Sequence, residues 1–426
     1  MVREAPPLSP RLIFVAQALA PGPAGAEALV NADLVRALAA HWPGGVTVIS
    51  GGEAPVLADG APVSSLPGWR VHALGECGAS GGSLLGRMAK AGVRSIRRGG
   101  PESLPARVVE RGIFRRTGMG LKAAAWTRAA ARVLARELEP GAVVYSRALP
   151  FSSLAAADAV RRRFPWIVNV NDPLPPGIWP GQYAFDPRAD RRMREELRTM
   201  LPRIGGLTFP SEQLRELEVE AFPEMERIPF EIVRHVAGPA QADLPAEEKT
   251  LHVAFAGTLR RDRCPRELAE ALAGAGEEIL ISFYIPHPMP AVAEYAASLP
   301  ARTRVVVGLG DAELRRELAR ADVLLDLESE VDRPLLMTKL AGYSVYRKPV
   351  WAFCAEGGTT WSLLDGWGYR SVLGSAEAAL ESLARIRDDW RAGRLPERAP
   401  APAVVDLFSP RRQVEALLRL VARVAA

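Results

Sequence analysis

Residues 11–50 read RLIFVAQALAPGPAGAEALVNADLVRALAAHWPGGVTVIS and contain the pattern that decides the fold. The run RLIFVAQAL is short, apolar and bounded by Pro and Gly, which is typical of a buried parallel strand. The loop PGPAG follows it, then apolar residues at helical spacing over AEALVNADLVRALAAHW, then a second apolar run, VTVIS. A strand, a helix and a strand in this order form a βαβ unit, which predicts a parallel sheet with helices on its faces.

The same alternation continues along the chain. Apolar runs at 142–146, 166–170 and 206–211 are predicted strands, and MERIPF at 225–230 is the predicted last strand of the first half. A Pro- and acid-rich stretch at 238–250 has no periodicity and is typical of a linker. Strand and helix patterns then start again, so the second half is predicted to repeat the architecture without repeating the sequence.

Two doubly wound α/β domains are therefore expected. The N-terminal domain is predicted over 1–237 with a basic insert at 80–136, and the linker over 238–250. The C-terminal domain is predicted over 251–405, and a last helix within 406–426 is expected to return toward the N-terminal domain. Two Rossmann-like domains of this kind would face a central cleft, because such domains bind ligands beyond the carboxyl ends of their strands.

The composition is that of an ordinary globular protein. Of the 426 residues, 48% are hydrophobic and 24% are charged, which argues against disorder. The net charge of +5 is too small to indicate nucleic-acid binding, and none is expected. The three cysteines are far apart and lack CxxC spacing, so no zinc site or disulfide framework is predicted and a cytoplasmic location fits best. No apolar run reaches the roughly 18 residues of a membrane span.

The segment FAGTLRRDRCPRELAEAL, residues 255–272, combines features that a diphosphate requires. A predicted strand ends at Gly257, and a helix is predicted to begin near residue 265. Glycine lets a phosphate approach the main chain, and a helix N-terminus offers N–H groups and a positive dipole end. Three arginines add positive charge, namely Arg260, Arg261 and Arg263. The alternative is a solvated basic loop in an arginine-rich protein.

A second informative segment spans residues 321–358. An apolar strand is predicted to end at Glu328, Ser329 and Glu330. A carboxylate at such a strand end can hold the hydroxyls of a ribose. The following predicted helix carries Lys339 and Tyr343 four residues apart, on one face. Lys339 could reach a phosphate; alternatively, Lys339 is a surface lysine and Tyr343 a core residue.

These two segments resemble the C-terminal domain of GT-B glycosyltransferases, particularly the retaining enzymes of family four. Gly257 and Arg263 are similar to the family's glycine-to-lysine phosphate loop, with Arg263 at the lysine position. Thr258 stands where the family has an arginine, and Arg260 or Arg261 would compensate. The second segment matches a family pattern at its end, with the residues Lys348, Pro349, Val350, Gly357 and Gly358.

The family's paired glutamates are absent from this chain. In the register set by Pro349, the two glutamate positions hold Pro334 and Gly342. Nearby carboxylates could serve in their place, namely Glu328, Glu330 and Asp332. The departure leaves open whether the chain is an active transferase or a diverged, inactive member of the fold.

The N-terminal half is similar to the family's acceptor side. Gly25 lies in a glycine-containing loop before the first helix, and Arg147 follows a predicted strand. Asp172 lies at another predicted strand end, and His235 precedes the linker. The resemblance implies that Gly25, Arg147 and His235 line the acceptor side and that Asp172 contacts the acceptor hydroxyl. The alternatives are an ordinary βα turn at Gly25 and a locally hydrogen-bonded histidine.

Residues 87–136 are rich in Lys and Arg, and their only acids are Glu102 and Glu110. Apolar residues are interleaved with the charges, which suits an anionic membrane surface or a lipid-diphosphate acceptor. The alternative is a basic loop in solution. In the first interpretation the protein would be cytoplasmic and peripheral on the inner membrane face.

The resemblance implies a metal-independent, cofactor-free enzyme that moves a sugar from a nucleotide-sugar to a glycan or lipid-linked acceptor, with retention at the anomeric carbon. A role in cell-surface polysaccharide biosynthesis follows from the same resemblance. The expected catalytic residues are Arg263, Lys339 and Asp172, and the expected donor-binding residues are Gly257, Thr258, Arg260, Arg261, Glu328, Ser329, Glu330 and Tyr343. The alternatives are an inactive GT-B binding or scaffold protein and a nucleotide-sugar 2-epimerase, although no histidines are clustered as the latter requires.

Overall fold

The structure is a computed structural model that describes most of the chain. The described residues are 10–19, 26–53, 55–57, 60–75, 119–179, 187–239, 244, 250–273 and 278–425. Gly25 and most of the basic insert predicted at 80–136 lie outside them. Within the described part, no helix is both long enough and apolar enough to cross a bilayer.

Contacts between Cα atoms divide the chain into two compact units. Unit 1 comprises Met1–Pro210, Leu214–Val233 and Gln413–Ala426. Unit 2 comprises Ser211–Gln213 and Arg234–Arg412. Each unit is described separately below.

Unit 1 is built on a seven-stranded, fully parallel sheet. Its strands are β1 Leu12–Ala16, β2 Val46–Ser50, β3 Arg70–Ala73, β4 Val143–Arg147, β5 Trp166–Asn169, β6 Gly206–Phe209 and β7 Phe230–Ile232. The helices of the first 233 residues are α1 Ala26–His41, α2 Leu121–Glu137, α3 Phe151–Asp158, α4 Pro187–Met200 and α5 Glu212–Ala221. All five residues of β1 are buried, as expected for a central parallel strand covered on both faces.

The strand order in unit 1 is β3-β2-β1-β4-β5-β6-β7. The order therefore reverses between β1 and β4, which pair directly from Leu12↔Val143 to Val15↔Ser146. In open α/β sheets the crevice at the carboxyl ends of the two strands beside such a reversal is the preferred ligand position.

The last strand of this sheet differs from its prediction. The segment 225–230 was expected to be a strand, but Pro223–Arg227 forms a short 3-10 helix and the strand is Phe230–Ile232. Pro223 occupies the first turn of that helix, where its fixed φ and missing N–H are tolerated. Pairing with β6 begins at Phe230, directly after Pro229, which has no N–H to donate to a ladder.

Unit 2 is built on a six-stranded parallel sheet of order β10-β9-β8-β11-β12-β13. Its strands are β8 Leu251–Ala256, β9 Ile279–Ile285, β10 Arg302–Val307, β11 Val323–Leu327, β12 Val350–Cys354 and β13 Tyr369–Val372. The helices are α6 Arg266–Leu272, α7 Pro290–Ser298, α8 Asp311–Arg320, α9 Thr338–Ser344, α10 Thr359–Leu363, α11 Ala376–Arg391 and α12 Pro402–Asp406. This order is that of a six-stranded Rossmann sheet, with its reversal between β8 and β11.

The core of unit 2 lies between this sheet and α6, α7 and α11. It includes Val253, Phe255, Phe283, Leu325 and Phe353, each with no exposed surface. The alternate side chains of β8 point to the opposite sheet face, because successive strand residues alternate. The two parallel sheets with their helices confirm the predicted α/β architecture of two Rossmann-like domains.

The last helix, α13 Pro410–Ala425, belongs to unit 1 from residue 413 onward. It lies against the start of β6, where two successive glycines leave room for it. A Cβ at Gly205 would be 2.6 Å from Val424 Cγ1, and one at Gly206 would be 3.0 Å from Val424 Cγ2. The close contact therefore depends on the absence of side chains at these two positions.

Candidate functional site

The carboxyl ends of β8 and β11 flank the reversal of strand order in unit 2. Their direct pairing ends at Phe255↔Leu325. Beyond this pair, the Tyr343 hydroxyl accepts a hydrogen bond from the Ala256 N–H at 3.0 Å and donates one to the Leu325 carbonyl at 3.2 Å. A direct N–H···O=C bond would be the next rung of a parallel ladder. The phenol of Tyr343 therefore stands between the two strands where they separate.

The space beside the main chain is open directly after β8. Gly257 has a φ of +122°, and a Cβ at this position would meet no atom within 4 Å. Such a φ is readily adopted only by glycine. The Gly257 N–H still donates to the Tyr284 carbonyl of β9 at 3.0 Å, and the missing side chain leaves open space beside the chain. Its contact with a phosphate stays a prediction.

Asp332 is the centre of the polar cluster at this strand edge. Its carboxylate is fully buried and accepts two hydrogen bonds from Arg263, from Nε at 2.8 Å and from Nη2 at 2.7 Å. Arg260 Nη2 donates a third at 3.3 Å. The N–H and hydroxyl of Ser329 donate two more, at 2.9 and 2.8 Å. Two predicted phosphate-binding arginines are thus anchored side by side on one carboxylate.

The ion pair shifts both of its members toward their charged forms. Burial raises the pKa of the Asp332 carboxyl, but the hydrogen bonds and charge of Arg263 outweigh burial and leave the pKa below its ordinary value. Burial lowers the pKa of the Arg263 guanidinium, and the hydrogen bonds and charge of Asp332 outweigh it and raise the pKa. A bidentate arginine–carboxylate pair also fixes the guanidinium plane. Arg263 is therefore held charged and oriented at the strand edge.

Two other predicted donor-binding residues of this loop lie outside the Asp332 cluster. The Arg261 side chain is 81% exposed and its Nη2 lies 3.5 Å from Glu294 Oε2. Thr258 is exposed. The structure therefore separates Arg261 from the arginine pair that Asp332 anchors.

Lys339 is directed toward the sheet. Its Nζ lies 3.0 Å from Asp326 Oδ1 and 4.4 Å from the centroid of the Phe255 ring. The short distance defines an ion pair, although its angles do not meet those of a hydrogen bond. The Asp326 side chain is fully buried and that of Lys339 is 14% exposed. Lys339 thus lies beside a carboxylate partner and an aromatic face, and its predicted phosphate contact stays a prediction.

The remaining carboxylates of the segment have different environments. Glu328 is buried and its Oε1 hydrogen-bonds with the hydroxyl of Thr360. Burial, followed by the charge of Asp326, raises the pKa of Glu328 well above its ordinary value. Glu330 is exposed. No group of three or more His, Cys, Asp or Glu side chains in the described part of the chain could hold a metal ion.

A second polar cluster lies at the strand reversal of unit 1. Arg147, at the end of β4, is 1% exposed and donates from Nε and Nη2 to Glu27 Oε1 at 3.2 and 3.0 Å. Asn171 donates from Nδ2 to Glu27 Oε2 at 3.2 Å. Glu27 lies in the first turn of α1. The structure thus brings the predicted residue Arg147 together with two side chains that the sequence pattern did not single out.

The other predicted residues of the first half have separate positions. Asp172 is half-buried directly after Asn171. His235 belongs to unit 2, where it is 6% exposed and its Nε2 lies 3.0 Å from the Leu336 carbonyl oxygen. A carbonyl accepts from an N–H, so this contact places the proton on Nε2. His235 is therefore hydrogen-bonded within unit 2.

No protein-family model matches the chain, and no curated protein matches it in sequence. Solved structures do match it. HepE of Anabaena in complex with UDP and glucose has a TM-score of 0.60 at 13% identity, over 96% of this chain and 99% of that chain. An E. coli trehalose-6-phosphate structure bound with UDP-2-fluoro glucose has a TM-score of 0.59 at 15% identity, over 96% and 98%. The α,α-trehalose 6-phosphate synthase from Burkholderia multivorans gives 0.55 at 13%, over 97% of both chains.

These neighbours are GT-B glycosyltransferases. This chain has the GT-B fold. The resemblance inferred from its sequence is therefore confirmed for the architecture. In GT-B terms, the cluster around Asp332 occupies the strand reversal of the C-terminal Rossmann-like domain, and the cluster around Glu27 occupies that of the N-terminal one.

Sequence reasoning missed two buried groups of the GT-B C-terminal domain. Asp326 interrupts the apolar strand VLLDL, and an acid inside a buried strand indicates a paired charge. Thr360 follows the Gly357–Gly358 turn at the start of α10. Asp332 was considered only as a substitute for a missing glutamate, whereas the structure makes it the arginine anchor.

Proposed function

We propose that this protein is a glycosyltransferase that moves a sugar from a nucleotide-diphosphate donor to an acceptor hydroxyl. The observation that carries the proposal is the pair Arg260 and Arg263, anchored on buried Asp332 at the strand reversal of unit 2. Gly257, with open space where a side chain would be, lies at the end of the neighbouring strand. UDP and UDP-glucose complexes of HepE, which has the same fold, support UDP-sugars as the first donors to test.

The chemistry of such a site is electrostatic. Cleavage of the bond between the sugar and the diphosphate places negative charge on the leaving oxygen. Donors fixed before the reaction stabilise that charge without reorganising. The Arg263 fork is fixed in this sense, because the buried Asp332 carboxylate sets its plane. We propose that these guanidinium groups carry the charge that a bound metal carries in other transferases.

The finer features implied by the family-four resemblance belong to the same proposal. They are retention at the anomeric carbon, a role in cell-surface polysaccharide synthesis, a glycan or lipid-linked acceptor, and peripheral contact with an anionic membrane through 87–136. The resemblance of the Gly257–Arg263 loop supports the first, and the basic composition of 87–136 supports the last. Lys339, Asp172, Tyr343 and Ser329 stay predicted site residues.

A non-catalytic GT-B protein is a second candidate because the site's cations already have carboxylate partners. Arg260 and Arg263 pair with Asp332, and Lys339 pairs with Asp326. A diphosphate thus meets arginines whose charge is largely balanced. This candidate predicts nucleotide binding without turnover for every donor and acceptor pair.

The test is direct binding and slow hydrolysis of a panel of nucleotide sugars by the full chain. Arg263→Ala is expected to lower nucleotide affinity by about tenfold or more, since a charged hydrogen bond contributes about 1.5–3 kcal/mol. Arg266→Ala is the matched control, because the Arg266 side chain is 81% exposed and its ion-pair partner among the described residues is Glu270 of its own helix. Equal affinity of both variants and wild type for every donor would refute the proposed site. Binding with no release of nucleoside diphosphate would favour the non-catalytic candidate.

A further inference from the structure

The side chains of Glu27, Arg147 and Asn171 form the Glu27 cluster of unit 1, in which a buried arginine is paired with a carboxylate. Resting on the proposed function, we infer that Glu27 is a specificity-determining residue that keeps this site from binding phosphate, so that the acceptor group bound there is an uncharged, hydroxyl-bearing saccharide.

The Glu27 cluster lies at the carboxyl edge of the unit 1 sheet. Glu27 lies in the first turn of α1, and Arg147 lies at the end of β4. Both are therefore at the carboxyl edge of the sheet, beside its reversal between β1 and β4, where α/β domains bind ligands. Gln17, which follows β1, borders the same reversal and hydrogen-bonds through its main-chain N–H with Ser153 Oγ at 2.9 Å.

The charges within the Glu27 cluster are paired. Arg147 is the buried cation, and it donates twice to Glu27 Oε1. The other carboxylate oxygen, Oε2, accepts from Asn171. The guanidinium is thus neutralised in place by a carboxylate that is held on both oxygens. Asp172 adds a carboxylate next in the chain.

A phosphate and a hydroxyl need different partners in a binding site. A phosphate is favoured where cations outnumber the carboxylate buried with them, as Arg260 and Arg263 do on Asp332, or where several main-chain N–H groups point at it. Arg147 instead has the Glu27 carboxylate to itself. A hydroxyl needs only one donor or acceptor; amide side chains supply both, and carboxylates supply acceptors. Asn171 and Glu27 are side chains of this second kind, as is Gln17, whose Oε1 already accepts from the Ser152 hydroxyl. The cluster therefore fits a neutral saccharide and repels a second anion.

Removing the charge of Glu27 should reverse the preference of the cluster, from a hydroxyl to a phosphate. In Glu27→Gln the shape of the side chain is kept, but Arg147 loses its counter-ion. A buried cation without a partner then attracts an anion strongly. Phosphate affinity is therefore a readout that a merely structural role for Glu27 would not increase.

The experiment measures binding of glucose 6-phosphate and of glucose to the full chain by calorimetry or NMR. Glu27→Gln is compared with Glu224→Gln, which removes the same charge at an exposed position of unit 1. Phosphate bound elsewhere on the protein contributes equally to both variants. We expect Glu27→Gln to bind glucose 6-phosphate about tenfold more tightly than Glu224→Gln and wild type, the effect of one newly unbalanced charge. Wild type is expected to show no preference for the phosphorylated sugar.

The inference is overturned if Glu27→Gln gains no affinity for glucose 6-phosphate over Glu224→Gln. It is also overturned if wild type binds glucose 6-phosphate more tightly than glucose and the NMR resonances that shift on binding are those of Glu27, Arg147 and Asn171. Should Glu27→Gln fail to fold, Gln17→Lys adds a cation beside the intact pair and is expected to give the same gain. Nucleotide binding by the same samples reports separately on the proposed function, so its failure is distinguishable from failure of this inference.

Discussion

The Tyr343 hydroxyl lies 3.0 Å from the Ala256 main-chain nitrogen and occupies the place of a strand-to-strand hydrogen bond. The same oxygen donates to the Leu325 carbonyl. A side chain of α9 thus completes the ladder between β8 and β11 at the strand reversal. The phenol is fully buried, and burial raises its pKa far above the ordinary value, so it stays a neutral donor and acceptor.

Replacing Tyr343 with Phe should therefore destabilise unit 2. The Ala256 N–H would lose its partner, and an unsatisfied buried donor costs about 1–3 kcal/mol. Urea unfolding measures the change. Tyr346→Phe is the control, because the Tyr346 hydroxyl makes no hydrogen bond to the described residues, and its effect should be close to zero. Equal midpoints for the two variants would show that the strands close and pair directly.

Removing the Asp332 charge should affect both folding and nucleotide binding. Asp332→Asn leaves Arg263 without its buried counter-ion, and breaking a buried pair costs about 3–5 kcal/mol. Asp262→Asn removes a 46% exposed partner of Arg260 and should cost under about 1 kcal/mol. Thermal unfolding with and without nucleoside diphosphate measures both effects. A nucleotide that stabilises Asp332→Asn as much as wild type would contradict the anchoring role.

Glu328 should make stability depend on pH. Its folded pKa is raised by burial and by Asp326, so its contribution is fully present below the unfolded pKa of about 4.3. That contribution is lost as pH rises toward the folded pKa. Glu328→Gln mimics the protonated form and should gain stability over wild type as pH increases from about 5 to about 8.

Urea unfolding of both proteins across this range gives the difference directly, and other titrating groups cancel in it. Glu330→Gln, at the exposed neighbouring acid, is the control for loss of one carboxylate from the same segment. A difference for Glu328→Gln that does not vary with pH would mean that the carboxyl is ionised in the folded protein.

The glycines under α13 give a steric prediction. Gly205→Ala places a Cβ 2.6 Å from Val424 Cγ1, and overpacking of this kind costs about 1–3 kcal/mol. Gly342→Ala is the matched control, since a Cβ there meets nothing within 4 Å and a helical alanine gains about 0.5–1 kcal/mol over glycine. Adding Val424→Ala to Gly205→Ala should restore stability in thermal unfolding, and no restoration would place the strain elsewhere.

Most of the fold was predictable because its signal is local. Apolar runs and helical spacing identified the central strands, and strand ends identified Gly257 and Arg147 as edge residues. The ion pairs of the site were not predictable from the sequence. Asp332 lies 69 residues from Arg263 in sequence, and no local pattern indicates which arginine it binds. The strand at 225–230 was misplaced because its apolar pattern outweighed Pro223 and Pro229 in the prediction. The inward direction of Lys339 likewise depends on Asp326 in a neighbouring element.

The return of Gln413–Ala426 to unit 1 has a consequence for biosynthesis. A ribosome makes all of residues 234–412 before it makes the helix that covers Gly205 and Gly206. Unit 1 therefore cannot complete its contacts at Gly205 and Gly206 until the residues of unit 2 have been made. Until then, the surface that Leu420 and Val424 cover is open to chaperones or to other nascent chains.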